Sequence, residues 1–458
     1  MLGPSDRVVI VGASLAGLRT AERLRVEGFT GPLTLIGDEP HEPYDRPPLS
    51  KQVLLGMGGA GQTRLPRLVD LGDVEWRLGV AAVGLDRERQ EVRLADGASV
   101  PYDRVVIATG VRNRQWFVPE QAALDGVVTV RTSDDSSRLR SLLAAGPARV
   151  VVIGAGFTGS EIASVCRQLG LEVTLVERGP EPLAGALGEV VGRVVAEIQR
   201  NDGVDLRTGV EVKAIEGDAS GRVRGVALAD GSQVEAEVVV IALGAQRNVE
   251  WLAGSGLAAG PLGVAADAGC RAFTQDGLMV DDVFVAGDVA RVSHPLYGYQ
   301  FLSLEHWENA VTQADIAAHN MVCPPIRRLP HLAVPTFWSI QYGLNIKSVG
   351  VAPLGDEILF TQGSVEDRSF VAAYGQRGRL VAAVTFDQAK WIDFYRNQIE
   401  MSGPLPSDMR ATDGPTADGP VPAQFAHPSL VYDPPTVVVS GHEPTERHAV
   451  VVKPQGAS

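Results

Sequence analysis

The chain is short of cysteine, and this shortage excludes two kinds of site. Its 458 residues include three cysteines, Cys166, Cys270 and Cys323. They are too few and too scattered for a disulfide framework or for a cysteine-rich zinc or iron–sulfur centre. We therefore expect a reduced protein with no metal site.

Positive charge and long apolar runs are also scarce. Lys and Arg total 41 against 55 Asp and Glu, so the net charge is −14. A field of that sign opposes binding to nucleic acid and to anionic lipid. No run of about 18 uninterrupted apolar residues is present to span a bilayer. These observations predict a cytoplasmic protein with neither a nucleic-acid nor a membrane partner.

What the chain does contain is a series of short apolar runs that end in glycine. They occupy residues 8–12, 105–110, 150–154, 238–244 and 283–287. Continuous β-branched runs suit strands that are buried on both faces, as in parallel sheets covered by helices. The expected fold class is therefore α/β.

Two of these runs lead into glycine-spaced turns typical of dinucleotide-binding units, each followed by a helix-like stretch and a further strand. The turns contain Gly12, Ser14, Ala16 and Gly17, and Gly154, Gly156, Thr158 and Gly159. Small residues let the backbone approach a pyrophosphate at the helix N-terminus. One motif alone is also compatible with an ordinary tight turn, whereas two complete copies predict two dinucleotide sites. Ser14 stands where glycine is usual, a mild departure because serine is small.

An acid follows the second strand of each unit, where a carboxylate accepts hydrogen bonds from ribose hydroxyls. Asp38 and Glu39 take this place in the first unit, and Glu177 in the second. Glu177 favours NADH because a carboxylate there repels the 2′-phosphate of NADPH. Arg178 is the competing signal, since an arginine beside that position can hold a 2′-phosphate. We predict NADH.

A third signal, Gly287-Asp288, ends a later apolar strand and places Asp288 where ribityl or phosphate oxygens need a partner. Two nucleotides in one chain predict a flavoprotein supplied by a nicotinamide coenzyme. The FAD domain is then split around an inserted NAD domain. We expect an FAD domain at 1–112 and 245–323, an NAD domain at 113–244, a small α+β interface domain at 324–402 and a proline-rich tail at 403–458.

Taken together, the motifs resemble the FAD-dependent ferredoxin reductases that serve ring-hydroxylating dioxygenases and bacterial haem-thiolate monooxygenases. The similarity covers about residues 7–400 and includes Thr109-Gly110 and the segments 43–51, 131–132, 305–310 and 337–342. It implies that electrons pass from NADH through FAD to a one-electron iron–sulfur ferredoxin, which feeds an oxygenase.

The resemblance also assigns roles to individual side chains. It implies that Lys51 and Glu161 form a catalytic pair near the flavin N5 and the nicotinamide, with Lys51 stabilising the reduced flavin. Glu161 falls two residues beyond Gly159, which we interpret as the first turn of the helix. The alternative for this pair is a surface ion pair.

Three further side chains have both a cofactor role and a structural alternative. Arg131 matches a flavin-contacting arginine, or else forms a salt bridge with Asp134 or Asp135. Trp307 and Trp338 resemble residues that line the flavin, or else are core tryptophans. The full set expected to bind a cofactor is Gly12, Ser14, Ala16, Gly17, Asp38, Glu39, Arg46, Lys51, Ala82, Thr109, Gly110, Arg131, Asp288, Trp307, Trp338, Gly154, Gly156, Thr158, Gly159, Glu177 and Gly244.

No cysteine precedes Cys166, so the thiol used by disulfide reductases and by many flavin oxidases is missing. We expect Cys166 to be a packed thiol. The alternatives to a ferredoxin reductase are a flavin NADH oxidase, a rubredoxin or nitrite-type reductase, and a slow-turnover NADH-binding flavoprotein with a signalling or assembly role.

Beyond residue 324, shorter strand-like runs predict the interface domain, with a hairpin turn at Gly378 and a helix over 388–401. A usually acidic ferredoxin needs a local basic patch on this acidic chain. The candidates are Arg327, Arg328, Lys347, Lys390 and Arg396. Residues 403–458 hold 10 of the 29 prolines, a composition that resists packing into a core. Within that tail, runs 436–439 and 449–452 can pair as strands.

Overall fold

The computed structural model describes residues 2–405 and 420–425, together with the backbone of 436–440 and 448–452. The helices are α1 Leu15–Val26, α2 Pro119–Ala122, α3 Ser133–Ala144, α4 Phe157–Gln168, α5 Ala184–Asn201, α6 Trp307–Val322 and α7 Ile392–Glu400. The strands are β1 Val8–Val11, β2 Leu33–Gly37, β3 Val74–Leu78, β4 Ala82–Asp86, β5 Glu91–Leu94, β6 Ser99–Pro101, β7 Arg104–Ile107, β8 Val111–Asn113, β9 Val127–Val128, β10 Arg149–Ile153, β11 Glu172–Val176, β12 Asp205–Arg207, β13 Val212–Gly217, β14 Val223–Leu228, β15 Gln233–Glu235, β16 Val238–Ile241, β17 Ala245–Arg247, β18 Ala259–Gly260, β19 Gly263–Ala266, β20 Arg271–Phe273, β21 Met279–Val285, β22 Ala290–His294, β23 Gln300–Leu302, β24 Thr336–Gln341, β25 Leu344–Gly350, β26 Glu357–Ser364, β27 Ser369–Gln376, β28 Arg379–Phe386, β29 Val421–Pro422, β30 Thr436–Ser440 and β31 His448–Val452.

The first domain is built on a ten-stranded sheet that draws on two separate parts of the chain. Its order is β23-β22-β19-β20-β21-β7-β1-β2-β3, with β18 added beside β19. β1 lies parallel to β2 and β7, and all four of its residues are buried, as the continuous Val8–Val11 run predicts. Helices α1 and α6 pack against each other over this sheet. The split of the first domain is therefore confirmed.

The second domain is inserted between the two halves of the first. Its parallel sheet has the order β12-β11-β10-β16-β9, and a small antiparallel sheet, β13-β14-β15, adjoins it. The chain enters through β8 and leaves through β17, which pair antiparallel. The two Rossmann-like domains are thus connected by two chain segments that run side by side. The predicted α/β class is confirmed.

The third domain is an antiparallel sheet of order β24-β25-β28-β27-β26-β29, with α7 packed on it. The hairpin predicted at Gly378 is confirmed, since Gln376 pairs with Arg379 and Gly378 has a φ of 75°. The helix predicted over 388–401 starts as a 3-10 turn, Ala389–Trp391, before α7. One hydrophobic cluster runs from α4 and α5 into this sheet, so the second and third domains share a core.

Part of the expected tail packs instead of remaining free of the core. We call residues 420–425 the strap. Its β29 pairs with the start of β26, and Ala423 is only 1% exposed. Gln424 accepts a hydrogen bond from the Glu189 amide of α5 at 2.8 Å. The strap therefore joins the third domain to the second. The two downstream runs pair with each other, as β30 and β31.

Gly188 makes the close approach of the strap possible. It interrupts α5 with a φ of 78°, and a Cβ there would lie 2.4 Å from the carbonyl oxygen of Ala423. Tyr374 from β27 donates to the neighbouring Leu187 carbonyl at 2.7 Å, and its ring lies 6.3 Å from that of Phe425. No helix among the described residues is long and apolar enough to cross a membrane.

We expect Ala423→Glu to destabilise the protein, because it buries a carboxylate where the strap meets α5. The free energy of unfolding should fall by about 2 kcal/mol or more, which a urea titration measures as a lower midpoint. Val421→Glu is the matched control, since Val421 is 39% exposed. A midpoint for Ala423→Glu no lower than that for Val421→Glu would show that burial of Ala423 against α5 does not contribute to stability.

Candidate functional site

The predicted motifs converge on one cavity of about 390 Å³ at the meeting point of the three domains. Fifteen of the predicted site residues line it: Gly12, Ser14, Ala16, Asp38, Glu39, Arg46, Lys51, Thr109, Gly110, Arg131, Thr158, Glu161, Asp288, Trp307 and Trp338. The other predicted residues, which do not line it, are Gly17, Ala82, Gly154, Gly156, Gly159, Glu177 and Gly244. Gly17 lies inside α1 and Ala82 begins β4, while the rest belong to the second dinucleotide unit.

The two glycine turns have the same construction. A Cβ on Gly17 would lie 1.9 Å from the Gly12 carbonyl oxygen, and a Cβ on Gly159 would lie 1.9 Å from that of Gly154. These glycines are therefore required by close backbone packing. At Gly156 a Cβ would meet nothing within 4 Å. The middle position of the turn faces open space, which explains why Ser14 is tolerated in the first copy.

Both turns present a helix N-terminus suited to a phosphate. Ser14 and Gly156 are the N-caps of α1 and α4, and neither helix has a side-chain cap or an acid in its first turn. The free amides and the helix dipole there favour an anion. The residues present thus fit FAD and NAD, whose pyrophosphates these two helix N-termini would hold.

The acids that follow the two central strands are held differently. Glu177 accepts hydrogen bonds from the Ala155 and Gly179 amides, both at 2.7 Å, so its position beside the turn is fixed. Glu39 is engaged by the Tyr44 hydroxyl and, at 2.5 Å, by the Arg46 guanidinium. Asp38, directly after β2, is exposed at the cavity and takes the place that Glu177 takes after β11.

Arg131 lies at the cavity and not in the salt bridge that was its alternative. Its guanidinium contacts the Asp288 carboxylate at 3.0 Å and the Val111 carbonyl at 3.2 Å. Asp135 instead accepts from backbone amides as part of the capping box of α3. Asp134 pairs with His41. The predicted alternative partners are therefore wrong, because helix capping already uses one carboxylate and a histidine the other.

Lys51 and Glu161 form the predicted pair, with 2.7 Å between Nζ and Oε2. Their side chains are only 12% and 7% exposed, so the surface alternative is wrong. Ser50 donates to the same carboxylate oxygen at 2.6 Å, and Ser339 from β24 donates to Oε1 at 2.6 Å. Because α4 begins at Phe157, Glu161 lies in the second turn and not in the first as expected.

The tryptophans line one wall of the cavity. Trp307 donates its indole N–H to Asp45 at 2.9 Å, and its ring meets that of Trp338 at a centroid distance of 6.3 Å. Trp338 is 39% exposed. Burial raises the pKa of Asp45, an effect opposed by the Trp307 hydrogen bond and by Lys51. Asp45 was not among the predicted site residues, although it lies within the segment 43–51.

His306 is a second cavity residue that was not predicted from the sequence. It lines the cavity beside Trp307, and its ring lies 5.1 Å from that of Phe337. Burial lowers the pKa of His306 to about 4, opposed by Asp288. Its imidazole is therefore neutral at pH 7 and adds no positive charge to the site.

No cysteine lines the cavity. Cys166 and Cys270 are buried free thiols, and Cys323 is half-buried. Burial raises the pKa of Cys166 to about 12, so this thiol stays protonated at physiological pH. The prediction of a packed Cys166 is confirmed.

The five basic residues predicted to dock a ferredoxin differ in their surroundings. Arg328 is bound to Asp281 at 2.7 Å, and Arg396 lies near Asp393. Lys390 lies over the ring of Trp391 and Arg327 is exposed. Lys347 pairs directly across from Trp338 between β25 and β24. Among the five, Lys347 is the one that this strand register places beside the exposed wall of the cavity.

Comparison with known families agrees with this arrangement. Residues 6–314 match the model of pyridine nucleotide-disulphide oxidoreductases, and residues 336–415 match that of the reductase C-terminal domain. The chain is 35% identical over 413 residues to the ferredoxin–NAD(+) reductase component of the anthranilate 1,2-dioxygenase system of Burkholderia cepacia, covering 89% of this chain and 97% of that one. It is 32% identical over 419 residues to putidaredoxin reductase of Pseudomonas putida, covering 87% and 94%.

Solved structures give the same result. The covalent putidaredoxin reductase–putidaredoxin complex superposes with a TM-score of 0.81 at 29% identity, covering 90% of this chain and 97% of the other. The ferredoxin reductase of the CYP199A2 system from Rhodopseudomonas palustris gives a TM-score of 0.78 at 31% identity, covering 90% and 100%. The chain therefore belongs to the pyridine nucleotide-disulphide oxidoreductase family and, within it, to the ferredoxin reductases.

Proposed function

We propose that this chain is an FAD-dependent NADH:ferredoxin oxidoreductase that passes electrons to a small iron–sulfur ferredoxin, which feeds an oxygenase. The observation that carries the proposal is the cavity in which the first dinucleotide turn and the start of α4, which follows the second turn, meet a buried Lys51–Glu161 pair. A bound flavin accepts two electrons from NADH and releases them one at a time, which suits a one-electron iron–sulfur partner. The similar reductase components belong to oxygenase systems, which supports the same acceptor.

Some residues of the cavity would bind the FAD, and others would orient its flavin ring. Ser14 and the first turn of α1 would hold the FAD pyrophosphate, and Asp38 the ribose. Arg131 and Asp288 would contact the flavin end of the same molecule. Lys51 would lie against the flavin, with its ammonium held in position by the Glu161 carboxylate.

The coenzyme would enter over the second turn. Gly156 leaves open space for its pyrophosphate, and Glu177 is held in place to accept from the ribose hydroxyls. Arg178 is exposed beside it. Glu161, four residues beyond Phe157, would orient the nicotinamide toward the flavin.

The acceptor would bind at the exposed wall that Trp338 and Lys347 form. A thiol-based oxidase or disulfide reductase is disfavoured because no cysteine lines the cavity. Two alternatives remain to be tested against ferredoxin reduction. In one the acceptor is a rubredoxin, and in the other the chain is a slow-turnover flavoprotein. The three free thiols suit the reducing cytoplasm, where we place the enzyme.

Addition of ferredoxin should strongly stimulate electron transfer. With NADH in excess, cytochrome c reduction should rise at least about tenfold when putidaredoxin is supplied, and should fall with added salt as docking charges are screened. Rubredoxin in equal amount is the matched comparison. Rapid reduction of oxygen or of a disulfide without any carrier would overturn the proposal, and slow bleaching of the flavin by NADH would favour the slow-turnover alternative.

Glu177→Ala should weaken the preference for NADH. The variant loses a charged acceptor and the repulsion of the 2′-phosphate, so the ratio of kcat/KM for NADH to that for NADPH should fall about 10–100-fold. Glu172→Ala is the control, because Glu172 is exposed at the start of the same strand. Equal kcat/KM values for both coenzymes in the unmodified protein would instead mean that Arg178 dominates.

Thiol reagents should leave the buried cysteines untouched. At pH 8 a thiol whose pKa is near 12 is almost fully protonated and does not react. We expect Ellman's reagent to modify at most one thiol of the native protein, Cys323, and all three after denaturation. Cys323→Ser should abolish the native reaction. Rapid labelling of Cys166 in the folded protein would contradict this and would reopen the thiol-based alternatives.

A further inference from the structure

Glu161 receives hydrogen bonds from two domains other than its own. Lys51 and Ser50, from the first domain, both bind Oε2. Among the described residues, Ser339 is the only side chain with a hydrogen bond to Oε1, and it belongs to the third domain. An ionised carboxylate is an acceptor only, and charge-assisted hydrogen bonds of about 2.6–2.8 Å are strong and directional. The orientation of the carboxylate therefore depends on Ser339.

Ser339 is itself held in place. Its side chain is buried, and its hydroxyl accepts from the Gln341 amide nitrogen at 3.2 Å, which directs the hydroxyl proton toward Glu161. Three residues along α4, Ser164 accepts from the Tyr342 amide at 2.7 Å. Two polar contacts thus fix the register of β24 against α4.

Successive side chains of β24 point to opposite faces, so the residues that face Glu161 are separate from those that face solvent. Ser339 and Gln341 point inward and are 1% and 2% exposed, whereas Trp338 and Ile340 point outward and are 39% and 46% exposed. The charged group that faces Glu161 is Lys51, beyond which lies Asp45. From β24 itself only neutral groups reach Glu161.

We propose that Ser339, supported by Gln341, is a positioning residue that holds the Glu161 carboxylate in the orientation needed at the nicotinamide. The proposal rests on the function proposed above. Ser339 reaches the coenzyme site only through Glu161, so its loss misdirects that carboxylate without removing a coenzyme-binding group. Hydride transfer from NADH thereby depends on the third domain being correctly seated.

The test is anaerobic stopped-flow reduction of the flavin-containing protein by NADH. Ser339→Ala should lower the rate constant at saturating NADH about 10–100-fold, as expected for a misplaced catalytic group. The NADH concentration at half-maximal rate should change less than about twofold, because ground-state binding is retained. Ser339→Thr, which keeps the hydroxyl, should restore most of the rate.

Two comparisons separate positioning from a general loss of packing. Ser348→Ala removes a hydroxyl on the adjacent strand β25 that is equally buried and has no hydrogen-bond partner among the described residues, and it should leave the rate unchanged. In a Glu161→Gln background, Ser339→Ala should add less than about a twofold loss, because both changes act on one contact. Equal losses in Ser339→Ala and Ser348→Ala, or full additivity with Glu161→Gln, would overturn the proposal.

Hydrogen exchange provides a readout that does not depend on turnover. In the flavin-containing protein, Ser339→Ala should increase deuterium uptake in residues 157–168, and Ser348→Ala should not. Unchanged uptake in Ser339→Ala would overturn the proposed link. If NADH fails to reduce the flavin of the unmodified protein, the proposed function fails, while hydrogen exchange still decides whether Ser339 holds Glu161.

Discussion

The buried carboxylate of Glu161 is the interaction on which the arrangement of the three domains depends. Taking a carboxylate and an ammonium out of water costs several kcal/mol for each ion. That cost is offset only when donors fill the remaining lone pairs. Here Lys51 and Ser50 come from the first domain and Ser339 from the third. The second domain can therefore bury Glu161 only when both neighbours are seated against it.

Much of the dinucleotide architecture could be predicted because its constraints are local. Gly17 and Gly159 must be glycine because a Cβ would clash with a backbone carbonyl five residues earlier. The continuous β-branched runs likewise indicate strands that are buried on both faces. The tolerance for Ser14 follows from the same geometry, since the middle position of the turn faces open space. Steric constraints between residues close in the chain can therefore be recognised from the sequence.

Apart from the Lys51–Glu161 pair, which the family resemblance implied, the partners of the site side chains could not be predicted, because they meet across long distances in the chain. Ser339 and Glu161 are 178 residues apart, and Trp307 and Asp45 are 262 apart. Competition between nearby groups also matters, since Asp135 is close to Arg131 in sequence but caps α3.

The packing of the strap was not predicted, for a different reason. Proline-rich composition argues against a core, yet a two-residue strand and one small buried side chain need very little apolar sequence.

The strap also changes what the outer edge of the third domain's sheet presents to solvent. A sheet edge with free N–H and C=O groups is a template for pairing with another copy of the chain. Among the described residues, β29 covers β26 only at Glu357 and Ile358, and a β-bulge follows between Phe360 and Gln362. A bulge twists the strand and interrupts its ladder. The outer edge of this sheet is thus closed at one end by the strap and made irregular beyond it, which makes it a poor template for edge-to-edge pairing, while the opposite edge, β24, packs against α4.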